Sequence, residues 1–120
     1  MNLGPIEIFF SLIALHFICD YTLQSDAIAT GKNRTIEYAK FGVPWFYWMT
    51  AHAATHGFAV GLFTQNYYLG IFEFLAHFLI DSIKCEKLIS LHTDQALHFI
   101  CKLAWVVIIL FEPLKILLKN

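Results

Sequence analysis

The sequence predicts an all-α membrane protein, a four-helix up-and-down bundle with a long loop between its first two helices. Hydrophobic residues make up 58% of the 120 residues and charged residues only 14%, whereas about 25% is usual in soluble domains. Four apolar stretches approach the length that a spanning helix needs. Each helix also holds two ionisable residues four positions apart. The length suits one domain, which we take as residues 1–120.

The first helix is predicted at about residues 5–23. A cleaved signal peptide is the alternative, because Ala27 and Ala29 resemble a small-residue cleavage site. The stretch before them lacks the basic start of a signal peptide and carries Glu7 and His16. We therefore expect it to be a retained helix.

The other helices are predicted at about residues 43–63, 67–86 and 94–112. A long polar loop, residues 24–42, follows the first helix, and a tight turn at residues 64–66 joins the second helix to the third. These unequal connections suit a bundle in which consecutive helices run in opposite directions.

The fourth helix has signals at both of its ends. Thr93 or Asp94 is a suitable N-cap. Pro113 is expected to end or bend the helix, which leaves a short interfacial tail.

The positions of the basic residues predict the orientation. Five of the eight lie in the first and third loops, and cytoplasmic loops are enriched in Lys and Arg. We therefore expect these loops on the cytoplasmic side of a bacterial inner membrane and both termini outside. Aromatic residues at 45–48 and 67–68 suit the two interfaces. The five basic residues are Lys32, Arg34, Lys40, Lys84 and Lys87.

Four polar pairs are the main functional signal. A spacing of four residues places both members of a pair on one face of a helix. In an up-and-down bundle, all four pairs also fall at the end that faces the first and third loops. The pairs are His16 and Asp20, His52 and His56, His77 and Asp81, and Asp94 and His98.

These eight residues predict a metal site. Ionisable groups inside a membrane are costly and normally face the bundle interior. Imidazoles and carboxylates bind Zn, Mn or Fe. Because eight donor residues exceed what one tetrahedral ion needs, we expect one or two ions, with Zn favoured. Two alternatives remain open, namely a metal-free hydrogen-bonded network and a bis-His haem.

Other polar residues flank the predicted site. Glu73 and Lys102 each lie two turns deeper and would meet as a buried ion pair, or else stay separate. Gln24 and Gln95 would orient ligands or water, or simply cap helix ends. The three cysteines are expected to act as small hydrophobic residues, with Cys101, three positions after His98, as the best reserve ligand.

Basic residues near the site provide a second signal. Lys84, with Lys32 and Arg34, would bind phosphate oxygens, or would only reflect the positive charge of cytoplasmic loops. The three cysteines lack metal-type spacing, and no basic stripe indicates a nucleic-acid partner. His92 is expected to be exposed.

The motifs together resemble a known family. Similar motifs occur in a family of small membrane proteins of bacteria and tailed phages, which is classed as a domain of unknown function. In this chain the motifs are HFICDYTLQ (16–24), HAATH (52–56), HFLIDSIK (77–84) and DQALH (94–98). The pattern is also similar to predicted membrane-bound metal-dependent hydrolases. A fainter likeness to the all-helical zinc phospholipase C and nuclease fold rests on HFICDYTLQ, which lacks the Pro and His found there.

The sequence therefore predicts a metal-dependent hydrolase at the cytoplasmic leaflet, in which bound metal lowers the pKa of water. Asp94 or Asp81 would act as base, and Lys84 or Arg34 would hold an anionic headgroup. The expected substrate is a lipid phosphoester. A metal-ion transporter or sensor, and a non-catalytic, metal-stabilised interaction protein of phage or bacterial origin, remain open, as does homo-oligomerisation.

Overall fold

The computed structural model describes residues 3–36 and 42–111. Over these ranges the chain is helical and has no strand, so the all-α prediction is confirmed. Four long helices pack in a ring, since α1 (Pro5–Phe17) contacts α3 (Trp45–Thr64) and α5 (Leu91–Leu110), and α4 (Tyr67–Cys85) contacts the same two helices.

The first helix contains an irregularity that the sequence did not reveal. Pro5 starts α1, and the Glu7 carboxylate accepts a hydrogen bond of 2.7 Å from the Gly4 backbone N–H. At its other end α1 continues into a π-helical turn, Ile18–Thr22, where the N–H of Leu23 donates to the carbonyl of Ile18. Such wider turns are rare and frequently mark functional positions.

The loop predicted at residues 24–42 contains a short helix, α2 (Asp26–Gly31). Its N-cap is Ser25, whose Oγ accepts from the N–H of Ile28. A cap serine, an acidic first turn and a terminal glycine are ordinary helix signals. The long polar connection predicted between the first two long helices therefore contains a short helix that was not predicted from the sequence.

Turn chemistry sets the ends of the two central helices. Gln65 adopts a left-handed backbone with φ 55° and ends α3. The Asn66 side chain then accepts from the N–H groups of Tyr68 and Leu69 and caps α4. This is the tight turn expected between the second and third long helices.

The start of α5 differs from the prediction. Ser90, and neither Thr93 nor Asp94, is the N-cap, and its Oγ accepts from the N–H of Thr93 at 3.1 Å. The helix therefore begins at Leu91, one turn early, and Asp94 lies within its first turn, buried. Lys40, Pro113 and the tail after it lie outside the described residues.

The bundle interior has two zones. An apolar core fills the end that holds the start of α1 and the turn between α3 and α4, and its buried residues are Ile8, Leu12, Val60, Leu69 and Val106. The other end is filled by ionisable side chains. The main apolar cluster therefore lies at one end of the bundle, and the ionisable side chains gather at the other end together with a few buried apolar residues such as Met49 and Ala53.

Glycines bring α3 and α4 into close contact. A Cβ atom at Gly70 would lie 2.7 Å from the carbonyl oxygen of Gly57, and one at Gly57 would lie 2.6 Å from the carbonyl oxygen of Gly70. Small residues of this kind allow helix backbones to approach closely. This contact fixes the distance between the two helices that hold three of the imidazoles.

Two helical stretches, Pro5–Thr22 and Leu91–Leu110, are long and apolar enough to cross a membrane. By length and composition alone, α3 and α4 do not meet the same test. A membrane crossing by four helices therefore stays a prediction.

Candidate metal centre

Eight ionisable side chains meet at the end of the bundle opposite the apolar core. Each is at most 7% exposed, and all five imidazoles direct Nε2 toward their shared centre. The structure thus brings together every residue of the four sequence pairs. They are His16, Asp20, His52, His56, His77, Asp81, Asp94 and His98.

One donor group in this cluster has the dimensions of a tetrahedral metal site. Asp20 Oδ1 lies 3.2 Å from Nε2 of His52 and 3.3 Å from Nε2 of His56. The same oxygen lies 3.7 Å from Nε2 of His77, which is 3.1 Å from Nε2 of His52. Metal–ligand bonds of about 2.0–2.2 Å place neighbouring tetrahedral ligands about 3.3–3.5 Å apart. These four residues, here called the first donor group, could hold a metal ion.

A second donor group consists of Asp81, Asp94 and His98. His98 Nε2 lies 3.3 Å from Asp81 Oδ1 and 3.6 Å from Asp94 Oδ1. The other Asp81 oxygen, Oδ2, lies 3.3 Å from Nε2 of His52. Asp81 therefore connects the two groups. His16, His77 and His98 form a third set of donors within reach of one another.

Several buried atoms of the cluster make no hydrogen bond within the described residues. They include Nε2 of His56 and Oδ1 of Asp94. Polar atoms that are buried without a partner are costly. An ion in the first donor group would satisfy Nε2 of His56, so this group fits a metal.

The π turn positions Asp20. Its wider backbone carries the Asp20 carboxylate toward α3 and α4, where its oxygens contact His52 and His56. The Gln24 side chain donates to the backbone carbonyl of Asp20 at 3.0 Å. Of the two roles predicted for Gln24, the structure shows a helix-end cap, which also fixes the backbone of a donor residue.

Gln95 contacts donors from both groups directly. Its Nε2 donates to Oδ2 of Asp20 at 3.0 Å and to Oδ2 of Asp94 at 3.1 Å. Its Oε1 lies 3.1 Å from Nε2 of His16. Hydrogen bonds of this kind orient ligand side chains, which is one of the two roles that the sequence predicted for Gln95.

Lys32 is a cluster residue whose position the sequence did not reveal. Its ammonium contacts Oδ2 of Asp81, and its side chain is 4% exposed. Sequence reasoning treated Lys32 as a loop residue, because the short helix before it was not recognised. The Ser25 cap could have indicated that helix, but no sequence signal indicated that the lysine turns inward.

A buried ion pair lies deeper in the bundle. Lys102 Nζ donates to Oε1 of Glu73 at 2.5 Å, and Trp105 Nε1 donates to Oε2 at 2.6 Å. Glu73 Oε1 also lies 3.7 Å from Nδ1 of His77. Glu73 and Lys102 therefore form an ion pair beneath the imidazole of His77. This is one of the two alternatives that the sequence left open.

Four other predicted residues lie outside the cluster. Arg34 pairs with Glu86 at the surface, and His92 is exposed. Lys84 is half-buried, and within the described chain no hydrogen bond or ion pair joins it to the cluster. Cys101 is a free thiol that belongs to none of the donor groups found among the described residues.

The chain was also compared with known proteins. No curated protein and no solved structure matches it. A family model matches residues 8–119, which is most of the chain. The resemblance to a family of unknown function is thereby confirmed, while the similarity to metal-dependent hydrolases stays a prediction. The chain belongs to the family described as "Protein of unknown function (DUF3307)".

Proposed function

We propose that this protein is an integral-membrane, metal-dependent hydrolase that acts on a lipid phosphoester at the cytoplasmic leaflet. The first donor group carries the proposal. Its three imidazole nitrogens and one carboxylate oxygen are spaced as metal ligands are, on helices that are packed too closely to shift freely. Zn is the favoured ion, with Mn or Fe as alternatives.

The charge of the cluster supports a bound divalent ion. Three carboxylates, those of Asp20, Asp81 and Asp94, are buried with one ammonium, that of Lys32. With neutral imidazoles the formal charge is −2. Uncompensated charge in a low-dielectric interior is strongly unfavourable. One divalent ion neutralises the cluster.

The placement of apolar side chains supports a membrane location. Eleven ionisable side chains are buried among the described residues, while large apolar side chains such as Phe58, at 71% exposed, and Leu79, at 61%, face outward. Water-soluble proteins show the opposite arrangement. In α3 and α4 the residues that lower hydropathy, such as His52 and Asp81, point inward. The outer faces of these two helices therefore suit lipid.

The surplus of donors supports hydrolysis. A bound divalent ion would activate water as a nucleophile and polarise a phosphoryl oxygen. The first donor group needs only Asp20 as carboxylate, which leaves Asp94, whose Oδ1 makes no hydrogen bond within the described chain. That oxygen is suited to accept a proton from water.

The expected substrate class follows from the surroundings of the site. A cavity of about 570 Å³ lies between the segment after α2 and the start of α3, and Arg34 and Trp45 are among its lining residues. Arg34 is the basic side chain among these lining residues. It would hold an anionic headgroup in the cavity while the acyl chains stay in lipid.

Metal analysis of detergent-purified protein tests the proposal. Wild type, prepared without chelator, is expected to hold stoichiometric metal, and His52→Ala and Asp20→Ala are expected to lose it. His92→Ala, which removes an exposed imidazole, is the matched control. Metal-free wild-type protein would refute the metal centre.

Activity assays then separate the classes of function. Release of phosphate or headgroup from a panel of phospholipids and polyprenyl phosphates supports the hydrolase. A non-catalytic metal-stabilised protein is the second candidate, because all donors are deeply buried and closed ligand sets are typical of structural sites. Ion uptake into proteoliposomes would instead indicate a transporter.

A further inference from the structure

Lys32 reaches the metal centre because α2 lies against α3. Gly31, the last residue of α2, is buried, and a Cβ there would lie 2.8 Å from the ring of Trp48. The absence of a side chain lets α2 approach the tryptophan. Lys32 follows immediately as the C-cap, and its side chain turns into the bundle.

The Lys32 ammonium occupies a specific place in the cluster. It contacts Oδ2 of Asp81, the carboxylate that connects the two donor groups. The other oxygen of Asp81 faces His98, which belongs to the second donor group. A cation in the second group would need this same carboxylate.

We propose that the centre is mononuclear, with one divalent ion in the first donor group and the Lys32 ammonium as a built-in second cation that excludes metal from the second. This inference rests on the proposed function, since it requires a metal in the first group. In this arrangement Asp81, Asp94 and His98 form a potential metal site that Lys32, a residue of the same chain, keeps free of metal.

Charge balance supports exclusion by Lys32. The cluster has a formal charge of −2 when the ammonium is included, so one divalent ion neutralises it and a second would leave two uncompensated positive charges. Without the ammonium the formal charge is −3. Two divalent ions then leave only one excess charge, and the repulsion among like charges confined at short range rises with the excess charge.

Geometry gives an independent reason. The second group already contains two carboxylates and an imidazole within ligand distance of one another, and Asp94 Oδ1 accepts no hydrogen bond within the described residues. Such a set would bind a divalent ion if the Asp81 carboxylate were not already paired, through its other oxygen, with the Lys32 ammonium. Lys32 is the one buried ammonium that contacts this group in the described chain.

Metal stoichiometry tests the inference. Wild type, Lys32→Met and Lys32→Arg are purified in detergent, equilibrated with excess Zn²⁺, desalted and analysed for metal per chain. We expect one ion in wild type, one in Lys32→Arg, which keeps the charge, and two in Lys32→Met. Adding Asp94→Asn to Lys32→Met should return the value to one.

The outcomes are distinguishable. Two ions in wild type, or a single ion in folded Lys32→Met, would overturn the inference and leave the metal centre intact. No ion in wild type would overturn the metal centre itself. If circular dichroism shows that Lys32→Met is unfolded, the ion count in wild type still tests whether the centre is mononuclear, and Asp94→Asn tests which donor group holds the ion. It should keep one ion, because Asp94 lies outside the first group, and loss of that ion would refute the assignment.

Discussion

Replacement of Lys102 by methionine should destabilise the protein strongly. The Glu73 and Lys102 side chains are each 1% exposed, and the ammonium lies 2.5 Å from the carboxylate. Lys102→Met leaves the Glu73 carboxylate buried, with the Trp105 N–H as its remaining close donor. Breaking a buried ion pair from one side costs about 3–5 kcal/mol. We expect a loss of about that size in the free energy of unfolding.

The double variant Glu73→Gln, Lys102→Met isolates the cause. It removes both charges together, and replacing both partners of a buried pair is often close to neutral. Only imperfect hydrogen bonding of the new amide should remain as a cost, about 1–2 kcal/mol. The double variant should therefore be more stable than either single variant.

Unfolding in mixed detergent micelles, followed by far-UV circular dichroism, measures these differences. Phe58→Leu, on the exposed outer face of α3, is a control that should change stability little. If Lys102→Met costs less than about 1 kcal/mol, or if the two single costs simply add in the double variant, the buried pair does not have the energetic role assigned to it.

Three further predictions follow from the geometry. Asp20→Asn should weaken metal binding at least about 100-fold, measured by competition with a chelating dye, because it removes a charged ligand; His92→Ala should leave the affinity unchanged. Gly70→Ala should cost about 1–3 kcal/mol of stability, since its Cβ would overlap a backbone oxygen. Gly61→Ala, whose Cβ would meet its nearest neighbour at 3.4 Å, should cost less, and equal costs would contradict the packing argument. Gln95→Leu should weaken metal binding about 10–100-fold through the ligands that it orients, and an unchanged affinity would show that its contacts are dispensable.

The sequence was sufficient to predict the four long helices and the convergence of the polar pairs. A spacing of four residues places both members of a pair on one face of a helix. The alternating direction of the helices then places all four pairs at the same end of the bundle. For this reason His52 and His77, which are 25 residues apart, could be expected to meet, and their Nε2 atoms lie 3.1 Å apart. The ion pair between Glu73 and Lys102, one of the two alternatives that the same reasoning left open, is found one layer deeper.

Other features depend on tertiary context that a linear pattern does not contain. The π turn at Asp20 has no distinctive composition, and its position depends on what the carboxylate meets in α3. Ser90 and Thr93 are both acceptable caps, and the local sequence does not show that Ser90 is the one used. The inward course of Lys32 depends on the contact between Gly31 and Trp48, which joins two helices separated by a loop.

The donors of the first group come from three separate helical segments, and no single segment holds more than two of them. An ion in this group would therefore bind tightly only after these segments have assembled, and its binding energy would add to the stability of the assembled bundle. Metal supply would then govern how much of the chain reaches its folded state. Cells that are short of the ion would contain more chains with loosely associated helices, which proteases cleave more readily.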